Sequence, residues 1–245
     1  RRMLLDVRAS NEAMRGLAAY VSTHNDISHH HEDEAVRQAS DDIVALLIPV
    51  VKAYFTDRGF KNVSDAMQVC GGAGYTRDWS IEQYLRDMRI ALIYEGTNHI
   101  QALDLVGRKL PMASGRLFKT FLKEVKEAIA EGQKSEATKP FADDLESGLG
   151  MLVRATEELG ARAQKDREEV GALASTYLHL FGLVACAFSW VKQTVHAVSA
   201  NTDNRDTKLK TARYFFARVY PEVHGVMAQM KAGKDTMMSF SVDEL

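Results

Sequence analysis

Proline is nearly absent from this chain: four residues in 245, at positions 49, 111, 140 and 221. Proline removes a backbone donor and crowds the preceding turn, so a chain with so few can run in long helices. The apolar pattern agrees. Nearly every segment repeats at 3.6 residues, and none alternates strictly over the length of a strand. The fold expected is all-α.

The pattern places a first helix over Arg2–Thr23 and a polar loop over Asn25–Glu32. A second helix starts near Glu34 and is kinked at Pro49, and Asp57-Arg58-Gly59 ends it or bridges it to the next. A third covers Phe60–Cys70 and is broken by Gly71-Gly72-Ala73-Gly74. A short helix follows over Ile81–Arg89, then a connector, Leu92–Gly96. The next helix, Thr97–Lys109, has Thr97 placed to cap it and Pro111 just past its end. Four longer segments complete the chain: Ser114–Glu131, Phe141–Gln164, Glu168–Ser199 and Lys208–Lys231, the last kinked at Pro221. Small residues such as Gly160, Gly182 and Ala185 recur in this second half and allow close helix crossings. The expected organisation is two helical bundles, residues 1–111 and 112–245.

The formal net charge of -2 offers nucleic acid no basic surface, and no polybasic run points to an anionic membrane. The best spanning candidate, Ala39–Phe55, is interrupted by Asp41, Asp42, Pro49 and Lys52, so no membrane span is expected. Cys70 and Cys186 lie far apart and read as buried reduced thiols, which fits a reducing compartment such as the cytoplasm. Arg1–Ala9 reads as the inside of an amphipathic helix without a cap, so the expectation is a piece of a longer protein.

Glu95 stands out among the polar residues. It lies in a connector just before a helix N-terminus, with Ala91, Leu92, Ile93 and Tyr94 able to desolvate it in part. Desolvation raises a carboxyl pKa and makes it a better base near neutral pH. By local physics alone it reads as an ordinary loop glutamate beside a helix dipole. Gln68 to Gly72 offer an amide and two glycines to an approaching diphosphate, or simply a helix-ending turn. Arg86, Asp87 and Arg89 read as an ion-pair network. His29-His30-His31, with His24 nearby, do not converge like ligands spaced i,i+4, so no metal is expected.

Three blocks decide between these readings: Asp65–Tyr75, Arg86–Ile90 and Ile93–Gln101. Together, and in this order, they closely resemble the C-terminal helical domain of acyl-CoA dehydrogenases. The likeness extends less strictly back to Arg1. The segment after Pro111 is similar, in helix pattern and position, to the extra C-terminal helical domain of the subgroup that includes 3-methylmercaptopropionyl-CoA dehydrogenase.

The resemblance implies that Glu95 is the base that takes the α-proton of an acyl-CoA thioester. The β-hydrogen would leave as hydride to flavin N5, giving a trans-2-enoyl-CoA. It implies that Gly96 contacts substrate, and that Gln68, Val69, Cys70, Gly71 and Gly72 touch the FAD of a neighbouring subunit. Thr97, Asn98 and His99 would make a further FAD contact, His99 departing from the glutamine common there. It implies a homodimer or dimer of dimers that passes electrons to an electron-transfer flavoprotein. An acyl-CoA oxidase that reoxidises its flavin with O2 would share the base, and a non-catalytic helical scaffold would share the fold. The family's other domains hold most of the flavin, so this chain alone is expected to bind FAD weakly and to be inactive.

Overall fold

The computed structural model describes residues 1–244, which form helices and no strand. α1 covers Arg2–His30, seven residues beyond the expected end. The segment read as a polar loop is helical through His30, with Ser28 Oγ donating to Asn25 O at 2.7 Å and His29 Nδ1 2.7 Å from the same oxygen. Only three residues separate α1 from α2, Glu34–Val69. Asp33 caps α2 by accepting from the Ala35 amide at 2.8 Å.

α2 runs through buried Pro49 and does not stop at Asp57-Arg58-Gly59. Asp57-Arg58-Gly59 instead bridges to the next helical segment, one of its two expected roles, and Gly59 makes room there, since a Cβ would lie 2.6 Å from the Met88 methyl. After α2 come two short pieces, α3 (Gly72–Tyr75) and a 3-10 turn (Arg77–Trp79), then α4 (Ile81–Ala91) and α5 (Asn98–Asp104). α5 continues as a π-helical turn to Lys109. Past Pro111, left-handed Ala113, Ser114 and Gly115 redirect the chain into α6, Arg116–Gly132.

The remaining helices are α7 (Lys139–Lys165), α8 (Arg167–Ser199), α9 (Arg205–Tyr214), α10 (Glu222–Met230) and the short α11 (Asp235–Met238). A π-helical turn and Pro221 separate α9 from α10. Proline there divides the segment that the periodicity joined.

α8 is the centre of the molecule. Every residue from Leu180 to Val191 is buried, as expected of a helix that is apolar all round. It is long and apolar enough to cross a membrane, which the sequence reading did not credit. However, 67% of its most apolar window is buried among the other helices, as in a core helix. It packs on both halves of the chain. Trp190 Nε1 donates to Ala9 O at 3.1 Å, and Ser189 Oγ donates to Ala13 O at 2.9 Å. At Gly182 a Cβ would meet the Tyr54 ring at 2.3 Å, so α8 crosses α2 where a glycine permits it. One apolar core therefore runs continuously through both halves. A polar tie adds to it: Asp42 on α2 is almost fully buried and accepts from Arg116 on α6 at 2.8 and 2.9 Å.

Candidate active site

α4 packs along α2, and the connector between α4 and α5 carries Glu95. Glu95 and Gly96 both have positive φ, 56° and 82°. Glycine adopts that region freely, whereas glutamate does so at a cost. The turn directs the Glu95 side chain to the surface, where it is exposed. The expected desolvation by its neighbours is not found here: Ala91 and Leu92 are half-buried, but Ile93 and Tyr94 are exposed beside it.

The backbone of this turn is held by side chains. Lys52, on α2, donates from Nζ to Gly96 O at 2.7 Å and to Asn98 Oδ1 at 2.8 Å. Gln101 Nε2 donates to Glu95 O at 3.0 Å. Thr97 caps α5, its Oγ1 accepting from the Ile100 amide at 3.4 Å. Burial pulls the Lys52 ammonium below its ordinary pKa, against the carboxylates of Asp57 and Glu95, which pull it back up.

The residues expected to touch FAD divide into two groups. Gln68, Val69, Cys70, Gly71 and Gly72 are all exposed at the C-terminal end of α2. Gly71 has φ 60°, and a Cβ at Gly71 or Gly72 would meet nothing within 4 Å, so the backbone is open to an approaching group. That fits a cofactor. Thr97, Asn98 and His99 lie elsewhere, against Lys52–Asp57 and α8. Thr56 and Gln68 are about 18 Å apart along α2, at 1.5 Å per residue. The two groups therefore lie at separate places along α2, one at its C-terminal end and one nearer its middle.

The Asn98 side chain is already committed. Its Nδ2 donates to Asp57 Oδ1 at 2.7 Å and Thr56 Oγ1 at 2.9 Å, while its Oδ1 accepts from Lys52. It fits a fastener between α5 and α2 better than a cofactor ligand. His99 Nδ1 bonds Ser175 Oγ of α8 at 2.9 Å, which leaves Nε2 for a ligand.

Two further expectations are corrected. Cys70 is exposed, because it ends α2 at an uncovered turn; only Cys186 is buried, and burial pushes its thiol up to about 12. Arg86, Asp87 and Arg89 are all exposed and form no ion pair among the described residues; Asp87 accepts from Gln83 at 2.7 Å. The charge network lies instead where α2, α8 and α10 meet. There Arg58 Nη2 is 2.6 Å and His179 Nε2 is 2.8 Å from the Glu222 carboxylate. The histidines near α1 serve local structure: His31 Nδ1 accepts from the Asp33 amide at 3.0 Å, and His24 Nδ1 bonds Ser40 Oγ at 3.0 Å.

Sequence reasoning missed Lys52, Gln101, Thr56, Asp57 and Ser175. Their partners lie 6 to 76 residues away, and apart from Gln101, which closes the block Ile93–Gln101, no local motif marks them. A lysine on the inner side of a helix otherwise apolar, Ile48 to Phe55, is the one available hint.

The model of the acyl-CoA dehydrogenase C-terminal domain matches residues 1–110, and that of the acetyl-CoA dehydrogenase C-terminal-like domain matches residues 121–241. A butyryl-CoA dehydrogenase of Syntrophomonas wolfei is 29% identical over 242 residues, covering 94% of this chain and 39% of that protein. The 3-methylmercaptopropionyl-CoA dehydrogenase of Ruegeria pomeroyi is 29% identical over 250 residues, covering 99% of this chain and 42% of that protein. The chain thus spans about two fifths of the length of these relatives. Two solved structures share its fold. Caenorhabditis elegans ACDH-11 in complex with C11-CoA has TM-score 0.74 and 19% identity, covering 96% of this chain and 39% of that one. A Bacillus anthracis acyl-CoA dehydrogenase complexed with FAD has TM-score 0.71 and 17% identity, covering 98% of this chain and 44% of that one. Matched along nearly its whole length by the two C-terminal domain models, the chain belongs to the acyl-CoA dehydrogenase family.

Proposed function

We propose that a protein carrying this chain with the remaining family domains oxidises an acyl-CoA thioester at Cα–Cβ, with Glu95 as the base. One observation carries this reading: Glu95 is an exposed carboxylate on a left-handed turn whose two carbonyls are pinned by Lys52 and Gln101. A base must be held in one place while its carboxylate stays free for substrate. Glu95 meets both conditions.

FAD, when bound, supplies the two-electron acceptor that takes the β-hydrogen as hydride. Glu95 takes the α-proton, and the electrons of the Cα–H bond become the new Cα=Cβ bond. Gly96, with no side chain, lets the acyl chain approach the turn. Gln68–Gly72 are proposed to hold one flavin through the Gln68 amide and the open backbone of the two glycines. The Nε2 of His99 is proposed to serve another. Asn98 acts in this reading by fixing the turn.

The exposed side chains of Val69, Tyr75, Trp79, Tyr84 and Ile90 support a face covered in the assembled protein by a second copy or by the other domains. The left-handed stretch Ala113–Gly115 supports a division into units 1–111 and 112–245, joined across one core. A cytoplasmic setting fits the unpaired thiols. The chain by itself is proposed to bind FAD weakly.

The test is anaerobic mixing of the FAD-loaded protein with acyl-CoAs of graded length. The reading expects one trans-2-enoyl-CoA formed per flavin bleached, and reoxidation by an electron-transfer flavoprotein much faster than by O2. No enoyl product with any acyl-CoA overturns it. Fast reoxidation by O2 makes the protein an oxidase.

A further inference from the structure

We propose that Lys52 is the positioning residue of this site: its ammonium sets the left-handed turn that aims Glu95. The proposal rests on the reading of Glu95 as the base. The turn contains two consecutive residues with positive φ, only one of them glycine. A glutamate stays in that region only when its surroundings impose it. The connector supplies little of that constraint itself. Within it, the Asn98 amide reaches Leu92 O at 3.3 Å, but the carbonyls of Glu95 and Gly96 are met by side chains from outside the turn.

The Gly96 carbonyl depends on Lys52, 44 residues away on α2. The same ammonium bonds Asn98 Oδ1, and Asn98 in turn donates to Thr56 and Asp57, the next turn along α2. Three points of α2 therefore hold the segment just after Glu95. Lys52 is itself anchored, because Val50, Ala53 and Tyr54 around it are buried in the core. A buried helix thereby fixes an exposed carboxylate. A lysine that merely stabilised the fold would not need to reach both atoms of this turn. Gln101 supplies the second clamp, from α5 to Glu95 O. A carbonyl bonded to an ammonium holds more firmly than one bonded to a neutral amide, so Lys52 is the stronger of the two.

The experiment compares the wild type with Lys52→Met, Lys52→Arg and Gln101→Leu. In this chain, NMR follows amide exchange of residues 95–98 and the side-chain amide signals of Asn98. In the FAD-loaded protein, the rate of flavin bleaching by substrate is split into kcat and KM. For Lys52→Met the proposal expects exchange at residues 95–98 to rise at least tenfold and the Asn98 side-chain signals to collapse toward free values. It expects kcat to fall at least tenfold with KM within twofold. Lys52→Arg, which keeps a charged donor, should recover part of the loss. Gln101→Leu should show the same pattern, more weakly. Unchanged exchange in Lys52→Met, or faster exchange with unchanged kcat, overturns the proposal. If Lys52→Met does not fold, Lys52→Arg and Gln101→Leu carry the same test, and their unchanged exchange or kcat overturns it. Glu95→Gln is the control for the underlying reading. If that variant bleaches normally, Glu95 is not the base, whatever Lys52 does to the turn.

Discussion

Trp190 lies in the middle of α8 with none of its surface exposed, its indole nitrogen bonded to Ala9 O. Trp79, in the 3-10 turn between α3 and α4, is 65% exposed, and Tyr75 beside it is 78% exposed. The contrast extends to the regions that hold them. The helices around α8 bury their apolar side chains in one core. From Val69 to Ile100 the chain leaves large apolar side chains at the surface. Every residue proposed here to touch substrate or cofactor lies in that second region or, as Gln68 does, directly beside it. The core supplies rigidity, and the site is attached to it at a few polar points, Lys52 foremost. Substitutions in the two regions should therefore separate stability from function.

The tryptophans give the largest expected difference in stability. Trp190→Ala removes a fully buried side chain and should cost about 3–5 kcal/mol, read from denaturant unfolding. Trp79→Ala should stay within about 0.5 kcal/mol. Equal losses would mean that the exposed face is stabilised by contacts that its surface does not reveal.

The tie between Asp42 and Arg116 sharpens the comparison with a sign. Removing Arg116 leaves a buried carboxylate without its cation, which is worse than having neither. Arg116→Met should therefore be less stable than the double variant Asp42→Leu with Arg116→Met. The reverse order in unfolding midpoints would show that Asp42 is satisfied by Gln38 and Thr120 alone.

A smaller effect is expected at Glu222. Burial alone would raise its carboxyl, but the hydrogen bond from His179 and the Arg58 guanidinium outweigh burial and hold it down to about 2, from an ordinary value of 4.5. A depressed carboxyl stabilises the fold fully above its unfolded value and loses that contribution as pH falls toward the folded value. The stability difference between the native chain and Glu222→Gln should shrink as pH falls from about 4.5 to 2. With 43% of the side chain exposed, its size is on the order of 1 kcal/mol. A difference that grows on acidification would contradict the assignment.

Much of this architecture is legible in the sequence. Scarce proline and 3.6-residue periodicity predict the helices of the second half to within a few residues at most ends, because packing follows the apolar stripe. The errors fall at helix ends, which composition alone does not set. Asn25–His30 is polar yet helical. Gly59 looks like a helix end and is a packing gap filled by Met88. At the site, the neighbours of Glu95 suggest desolvation, but sequence does not tell which apolar side chains another element will cover. Ile93 and Tyr94 are left uncovered. The residues of α2 that hold the turn carry no motif in the sequence. Lys52, Thr56 and Asp57 lie some forty residues before the atoms they bind.

The central claim is that the exposed, pinned carboxylate of Glu95 takes the α-proton. Stopped-flow bleaching of the FAD-loaded Glu95→Gln protein by acyl-CoA tests it most directly. The account predicts that acyl-CoA still binds, seen as a perturbed flavin spectrum, while bleaching slows by at least about a hundredfold, the lower range for a general base. Bleaching at the wild-type rate would contradict it.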